Sequence, residues 1–266
     1  MIPATQTNAL PRWGRSREFD SFISKFERPM STIDPETPIG RVVAERPASA
    51  RIFERLGVDY CCGGEEPLRR ACAKEGLDAA TVLQMIDAEL DPDAHTENGS
   101  ETRDWTEAPL GDLIDHIEST HHAYLRSELP RLEELLEKVA HVHGTDAPWV
   151  GSVKEVFADL KPSMEAHIRK EEEIVFPFIR RLVEEGPASE PDGLDGDPIA
   201  LMEEEHDETG QALKRMRTLS HNFTTPKWGC NSFRSLMSGL EQLEADTHRH
   251  VHKENSILFP RARRLL

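Results

Sequence analysis

The chain is short of cysteine, of long apolar runs and of positive charge, and each shortage closes off a class of function. No stretch approaches the roughly 20 consecutive apolar residues that cross a bilayer, so no membrane span is expected. Lys and Arg number 32 against 49 Asp and Glu, a formal charge of −17. That balance argues against non-specific nucleic-acid binding, which relies on a basic face. The four cysteines contain no C-x-x-C pair, which removes the zinc-ribbon and thioredoxin-type motifs, and the lack of a paired framework suits a reducing compartment. The N-terminal Met1-Ile-Pro-Ala-Thr-Gln has neither a basic start nor an apolar core segment, so a secretory leader is not expected and the cytoplasm is the expected location. At 266 residues, 37% hydrophobic and 30% charged, the composition is that of a globular protein. It has room for a bundle of about 150 residues and a domain of about 60.

What is present is an internal repeat. His167-Ile-Arg-Lys-Glu171-Glu-Glu-Ile-Val-Phe-Pro177 and His250-Val-His-Lys-Glu254-Asn-Ser-Ile-Leu-Phe-Pro260 share His-x-x-x-Glu, then an apolar run ending in Phe-Pro. Residues four apart lie on one helix face, so each His-Glu pair can chelate. Imidazole plus carboxylate suits iron or manganese, whereas structural zinc usually recruits thiolates. At about 100° per residue, Val153, Val156, Phe157, Leu160, Met164, Ile174, Val175 and Phe178 form one stripe, with Glu171 near its centre and His167 beside it. In the second repeat Leu236, Leu240, Leu243 and Ile257 mark the stripe, with Glu254 inside it and His250 toward its edge. A buried, unpaired carboxylate is heavily penalised, so a bound cation is the economical reading.

Two helices cannot saturate a two-metal site, so further donors are expected from other helices of the same bundle. His206 shares a face with Ile199, Met202 and Leu213. In Leu113-Ile-Asp-His116-Ile-Glu-Ser-Thr-His121-His122-Ala-Tyr-Leu125 the choice stays open. Periodicity alone favours His121, in phase with Leu113, Ile117 and Tyr124, over His122 and then His116.

Together with Asp59-Tyr-Cys-Cys-Gly-Gly64, Thr120-His-His122 and Glu205-His-Asp-Glu208, the repeats resemble a hemerythrin-like di-iron four-helix bundle. More narrowly, they resemble the Repair of Iron Centers family, over about residues 34 to 264. The resemblance implies two non-haem irons held by His122, His167, His206 and His250 and bridged by the carboxylates of Glu171 and Glu254, with an oxo bridge when oxidised. It favours His122 over the phase-preferred His121, which a local bulge in the helix would reconcile. Hemerythrins proper carry one more His, so the set here implies an open coordination position.

Cys61-Cys62-Gly63-Gly64 is the second feature. Neighbouring cysteines rarely close a disulfide on each other, Gly-Gly permits a tight backbone and an exposed thiol, and thiolates accept iron and nitrosyl groups. The bland alternative is a pair of small buried residues at a helix end. The resemblance implies that these candidate thiols cooperate with the di-iron domain. Cys72 reads as a packed helix residue, Cys230 as a bystander in the core or at the surface. His116, His141, His143, His221, His248 and His252 read as surface or supporting side chains, with His248 and His252 placed to tune His250 by hydrogen bonds.

The expected layout is an all-α chain. Residues 1–33 form an extension, in part disordered; 34–90 form a small helical domain; 91–105 form a turn-rich linker; and 106–264 form an up-down four-helix bundle with Thr106 as its first N-cap. Its helices are expected over about 107–142, 148–185, 198–220 and 229–263.

Three functions follow from the resemblance. The first is a stress-response factor, rather than an enzyme, that donates iron to iron-sulfur proteins damaged by nitric oxide or peroxide, or to their apo forms. The second is reduction of nitric oxide or peroxide at the irons. The third is a module that binds or senses dioxygen, which leaves the Cys-Cys domain without a use. Neither nucleic acid nor membrane is an expected partner, and the sequence leaves room for a homodimer.

Overall fold

The computed structural model of the protein describes residues 33–89, 103–186 and 197–266. The expected N-terminal extension up to 32, residue 90 with most of the linker (91–102) and most of the loop before the third bundle helix (187–196) lie outside the described residues. All regular structure among the described residues is helical, beside one isolated bridge between Pro38 and Pro67. No helix among them is long and apolar enough to cross a membrane. The described residues from 35 onward form one compact body.

Four short helices come first: α1 (Ile39–Glu45), α2 (Ser49–Leu56), α3 (Leu68–Lys74) and α4 (Ala79–Glu89). They bury Ile39, Val42, Ile52, Phe53, Leu68, Cys72 and Ile86. Gly57, at φ 71°, ends α2 in the left-handed conformation that glycine adopts at least cost.

Four long rods follow. The first runs through α5 (Leu110–Ile117), a π turn at Glu118–His122 and α6 (Ala123–His143). The second is α7 (Trp149–Lys170), a π turn at Glu171–Val175 and α8 (Phe176–Glu185), and the third is α9 (Pro198–Leu219). The fourth is α10 (Asn231–Lys253), a π turn at Glu254–Leu258 and α11 (Phe259–Arg263). The first rod packs on the second and fourth, and the third packs on the second and fourth, closing a four-helix bundle. The first rod starts after Pro109 rather than at Thr106, whose N–H and hydroxyl both bond the Asp104 carboxylate instead. The third opens on the Asp197 side chain, which accepts from the Ile199 N–H at 3.0 Å, with Pro198 at the position where a missing N–H costs nothing.

Among the described residues, the bundle buries two apolar clusters. One apolar cluster is built on Leu125, Leu129, Leu136, Phe157, Leu160, Met216 and Leu240, the other on Leu113, Ile117, Phe176, Ile179, Met202 and Phe259. Along each rod the buried imidazoles and carboxylates fall between these two sets.

Candidate metal centre

Three of the four rods interrupt their α-helix with a π turn at the segment that carries the candidate donors. A π turn adds one residue to the turn and breaks the i→i−4 ladder. Pro177 and Pro260 stand just where the α-helix resumes, so each rod places a residue without an N–H where a ladder bond is already lost. The Phe-Pro endings of the sequence repeat are therefore part of the same device as His-x-x-x-Glu.

The π turns also change which residues face inward. In the first rod the extra residue lets Leu113, Ile117, His122 and Leu125 all be fully buried. His122 aims its Nε2 at Glu171 Oε2 (3.2 Å) and at His250 Nε2 (3.2 Å). His121 is buried too, but its Nδ1 lies 3.1 Å from the Asp246 carboxylate and its Nε2 3.0 Å from Lys253 Nζ, outside both donor clusters. The regular phase that favoured His121 is thus broken at Glu118–His122. The second rod shows the same effect: Ile174, expected on the core stripe, is only half-buried, while Phe176 and Ile179 are core.

His122, Glu171, His250 and Glu254 form one cluster, and His167, Glu171, His206 and Glu254 a second, each with its donor atoms within 4.8 Å of one another. Glu171 gives Oε2 to the first cluster and Oε1 to the second, 3.1 Å from His167 Nε2. Glu254 gives Oε1 to His250 Nε2 and Oε2 to His206 Nε2, both at 3.1 Å. The two carboxylates therefore span the clusters.

Three observations test whether a cation fits. Both oxygens of Glu171 and Oε2 of Glu254 are buried and accept no well-directed hydrogen bond, although imidazole nitrogens stand close by. Buried carboxylate oxygens without a directed hydrogen bond are costly unless a cation meets them. The nitrogens themselves converge, His206 Nε2 lying 3.0 Å from His167 Nε2. Finally, the far side of three rings is held by an acceptor: His122 Nδ1 by Glu172, His167 Nδ1 by Glu205 and His206 Nδ1 by Asn255, all at 2.8 Å. An Nδ1–H that donates outward leaves a lone pair on Nε2 directed at the centre, the arrangement by which metal-binding imidazoles are oriented. Glu172 in turn pairs with Arg126, and Glu205 with Lys170. With two imidazoles and two carboxylate oxygens per cluster, the set is that of a non-haem iron site.

The electrostatics agree. Burial alone would depress the rings, yet the carboxylates raise His122, lift His167 to about 9 and hold His206 well above its usual value. Burial would likewise raise Glu171 and Glu254, but the imidazoles around them hold both below the usual carboxylate range. His121 goes the other way, to about 4, because burial outweighs Asp246.

The Cys61–Cys62 loop lies against this centre. Asp59 Oδ1 accepts the N–H groups of Cys61 and Cys62, both at 3.0 Å, and the two sulfurs are 3.8 Å apart as free thiols. Cys62, half-buried, has its Sγ 3.5 Å from the backbone oxygen of His206. Cys61 is buried, and its thiol is pushed well above the usual value by the Cys62 thiol first, then by burial and Asp59. Tyr60 is buried edge-on to His252, with ring centres 5.6 Å apart. His248 and His252 thus face the Tyr60 ring. Cys72 is buried, as its helix position suggested. Cys230 is exposed at the start of α10, where the Phe233 N–H, with His143 beside it, lowers its thiol to about 7.

The sequence did not single out Glu172 or Asn255 as supports, although each directly follows a spanning glutamate, and Glu205 directly precedes His206. Adjacency to a donor was the available signal.

Residues 112–262 match the hemerythrin HHE cation binding domain, and residues 35–90 match ScdA_N, a domain of unknown function (DUF542). The iron-sulfur cluster repair protein YtfE of Escherichia coli O157:H7 is 34% identical over 227 residues, which cover 85% of this chain and 96% of that protein. The protein of the same name from Edwardsiella ictaluri is 35% identical over 229 residues, with the same coverage. That from Pectobacterium carotovorum is 34% identical over 226 residues.

Proposed function

The chain belongs to the family of hemerythrin-like iron-sulfur cluster repair proteins, and from that premise we propose that it repairs damaged clusters as an iron donor. In this reading His122 and His250 hold one ion, His167 and His206 a second, and Glu171 and Glu254 bridge them. The observation that carries it is the pair of clusters sharing two carboxylates, three of whose four buried oxygens accept no well-directed hydrogen bond.

Iron is the cargo, and the residues explain how it can be both held and released. Four protein donors per ion are fewer than the six of an octahedral iron, so each ion is retained without being enclosed. When an ion leaves, the rings it occupied are free to take protons: His167 in the empty site keeps one up to about pH 9. Release is therefore an exchange of metal for protons, favoured as pH falls. The exchange leaves Glu171 and Glu254 paired with cationic rings instead of bare, which keeps the empty centre folded. Cys62 stands beside the backbone of His206 and is the nearer candidate to take a departing ion or nitrosyl group, with Cys61 behind it. The clients in this reading are iron-sulfur proteins damaged by nitric oxide or peroxide, met in the cytoplasm.

The same unsaturated coordination supports a second reading, reduction of nitric oxide or peroxide at the irons. One experiment separates them. Anaerobically iron-loaded protein is incubated with an apo-ferredoxin and sulfide, and in parallel with nitric oxide and an electron donor. Donation predicts stoichiometric transfer of iron and a reconstituted cluster, and a Cys61→Ser/Cys62→Ser double variant that transfers more slowly. Catalytic consumption of nitric oxide without loss of iron favours the second reading, and full-rate transfer by the double variant removes the thiols from the mechanism.

A further inference from the structure

The two halves of the repeat hold their imidazoles in the same way but turn the support in different directions. In each half the residue after the spanning glutamate accepts from a ring on another rod. Glu172 accepts from His122 Nδ1 at 2.8 Å, and its second oxygen meets Arg126, a half-exposed side chain at the surface. Asn255 accepts from His206 Nδ1 through Oδ1 at 2.8 Å, and its Nδ2 points at the backbone oxygen of Cys61, 3.5 Å away. A carboxamide can do both because it carries an acceptor and a donor on one carbon. A carboxylate in its place would set two acceptors against each other.

The loop is seated without a gap on the same π turn. A Cβ on Gly64 would stand 3.0 Å from Ser256 Oγ, and one on Gly40 would collide with that oxygen. On the neighbouring rod a Cβ at Gly210 would stand 3.2 Å from Cys62 Sγ. Closely packed parts transmit small displacements, and Asn255 lies where the loop and the donor cluster share a side chain.

We propose that Asn255 is a positioning residue that couples the Cys61–Cys62 loop to the His206 donor. A change in the loop, such as modification of the Cys62 sulfur, is felt at the cluster of His167 and His206, and filling or emptying of that cluster is felt at Cys62. The other cluster, whose support Glu172 faces Arg126, is not addressed by the loop in this way. The inference rests on iron being the occupant of the clusters.

The test uses the full chain under anaerobic conditions. The rate of Cys62 alkylation by iodoacetamide is followed by mass spectrometry with and without ferrous iron, in wild type, Asn255→Asp and Asn255→Leu, each checked for folding by thermal unfolding. In wild type, iron loading should change the rate several-fold, and by linkage the alkylated protein should hold iron correspondingly less or more tightly. Asn255→Asp keeps an acceptor for His206 and loses the donor to Cys61, so it should still bind iron, with its affinity read in the same titration, while its Cys62 rate no longer responds. Asn255→Leu loses both and should weaken iron binding by about 10–100-fold. An Asn255→Asp variant whose Cys62 responds to iron as strongly as wild type would overturn the proposal and route the coupling through the direct Cys62–His206 contact. So would a wild-type protein that binds iron but whose Cys62 rate ignores it, a comparison that stands even if a variant unfolds. A wild-type protein that binds no iron at all would instead sink the functional reading.

Discussion

Removing one spanning carboxylate should cost more iron than removing one imidazole, because Glu171 supplies an oxygen to both clusters and His206 serves only one. Glu171→Ala takes each cluster from four protein donors to three, whereas His206→Ala leaves the His122–His250 cluster whole. The size of the effect follows from linkage. At a free ferrous concentration of about 100 Kd, one occupied site stabilises the fold by about 2.7 kcal/mol, or about 5–11 °C in Tm for a body of this size. Loss of a donor that weakens binding about 100-fold brings the same concentration down to Kd, leaving about 0.4 kcal/mol and a shift of about 1–2 °C. The assay is anaerobic thermal unfolding with and without iron, with iron counted after desalting. The readout is the iron-dependent increment, so any effect of the substitution on the empty protein cancels. Wild type should retain about two irons, His206→Ala about one with part of the increment, and Glu171→Ala little iron after desalting and an increment of only about 1–2 °C for each weakened site. A Glu171→Ala variant that keeps two irons and the full increment would refute the shared-carboxylate geometry.

Other consequences can be checked independently. His167 in the iron-free protein is held at about 9 against an ordinary value of 6.5, so its contribution is complete below pH 6.5 and lost as pH rises through 9. The Tm of iron-free protein should fall across that window and that of iron-loaded protein should not; a flat or rising iron-free profile contradicts the pairing. The Cys230 thiol, at about 7, should be alkylated with a rate that reaches half its maximum near pH 7. His143→Ala should move that midpoint upward, and a wild-type midpoint at about 8.5 would show that the helix start and His143 do nothing to it. Gly40→Ala places a methyl against Ser256 and should destabilise the protein by about 1–3 kcal/mol. A Ser256→Ala background should recover part of that loss, and additive effects in the double variant would mean that the two residues do not touch.

Much of the centre was legible because His-x-x-x-Glu needs only the i,i+4 geometry of a helix, which holds up to the first residue of each π turn. That is why His167 with Glu171 and His250 with Glu254 could be paired from spacing, and why His206, on the uninterrupted α9, kept its phase with Met202 and Leu213. The choice between His121 and His122 was beyond periodicity, because a π turn inserts a residue without leaving a gap in the apolar pattern. Leu113, Ile117 and Leu125 are buried on both sides of it. The trace it did leave is the Phe-Pro pair after the second and third turns, which reads as a helix breaker until the lost ladder bond is known. The supports Glu172 and Asn255 were hidden for another reason. Their partners, His122 and His206, lie on other rods, and the Asn255 contact with Cys61 joins residues 194 apart.

The most direct test of the account is the iron content and Mössbauer spectrum of protein purified without oxygen and then exposed to it. The account predicts about two irons per chain and a coupled di-ferric signal, of the kind an oxo bridge gives, absent from the Glu171→Ala and Glu254→Ala variants. Zinc alone, or no stoichiometric metal after anaerobic loading with ferrous iron, would contradict it.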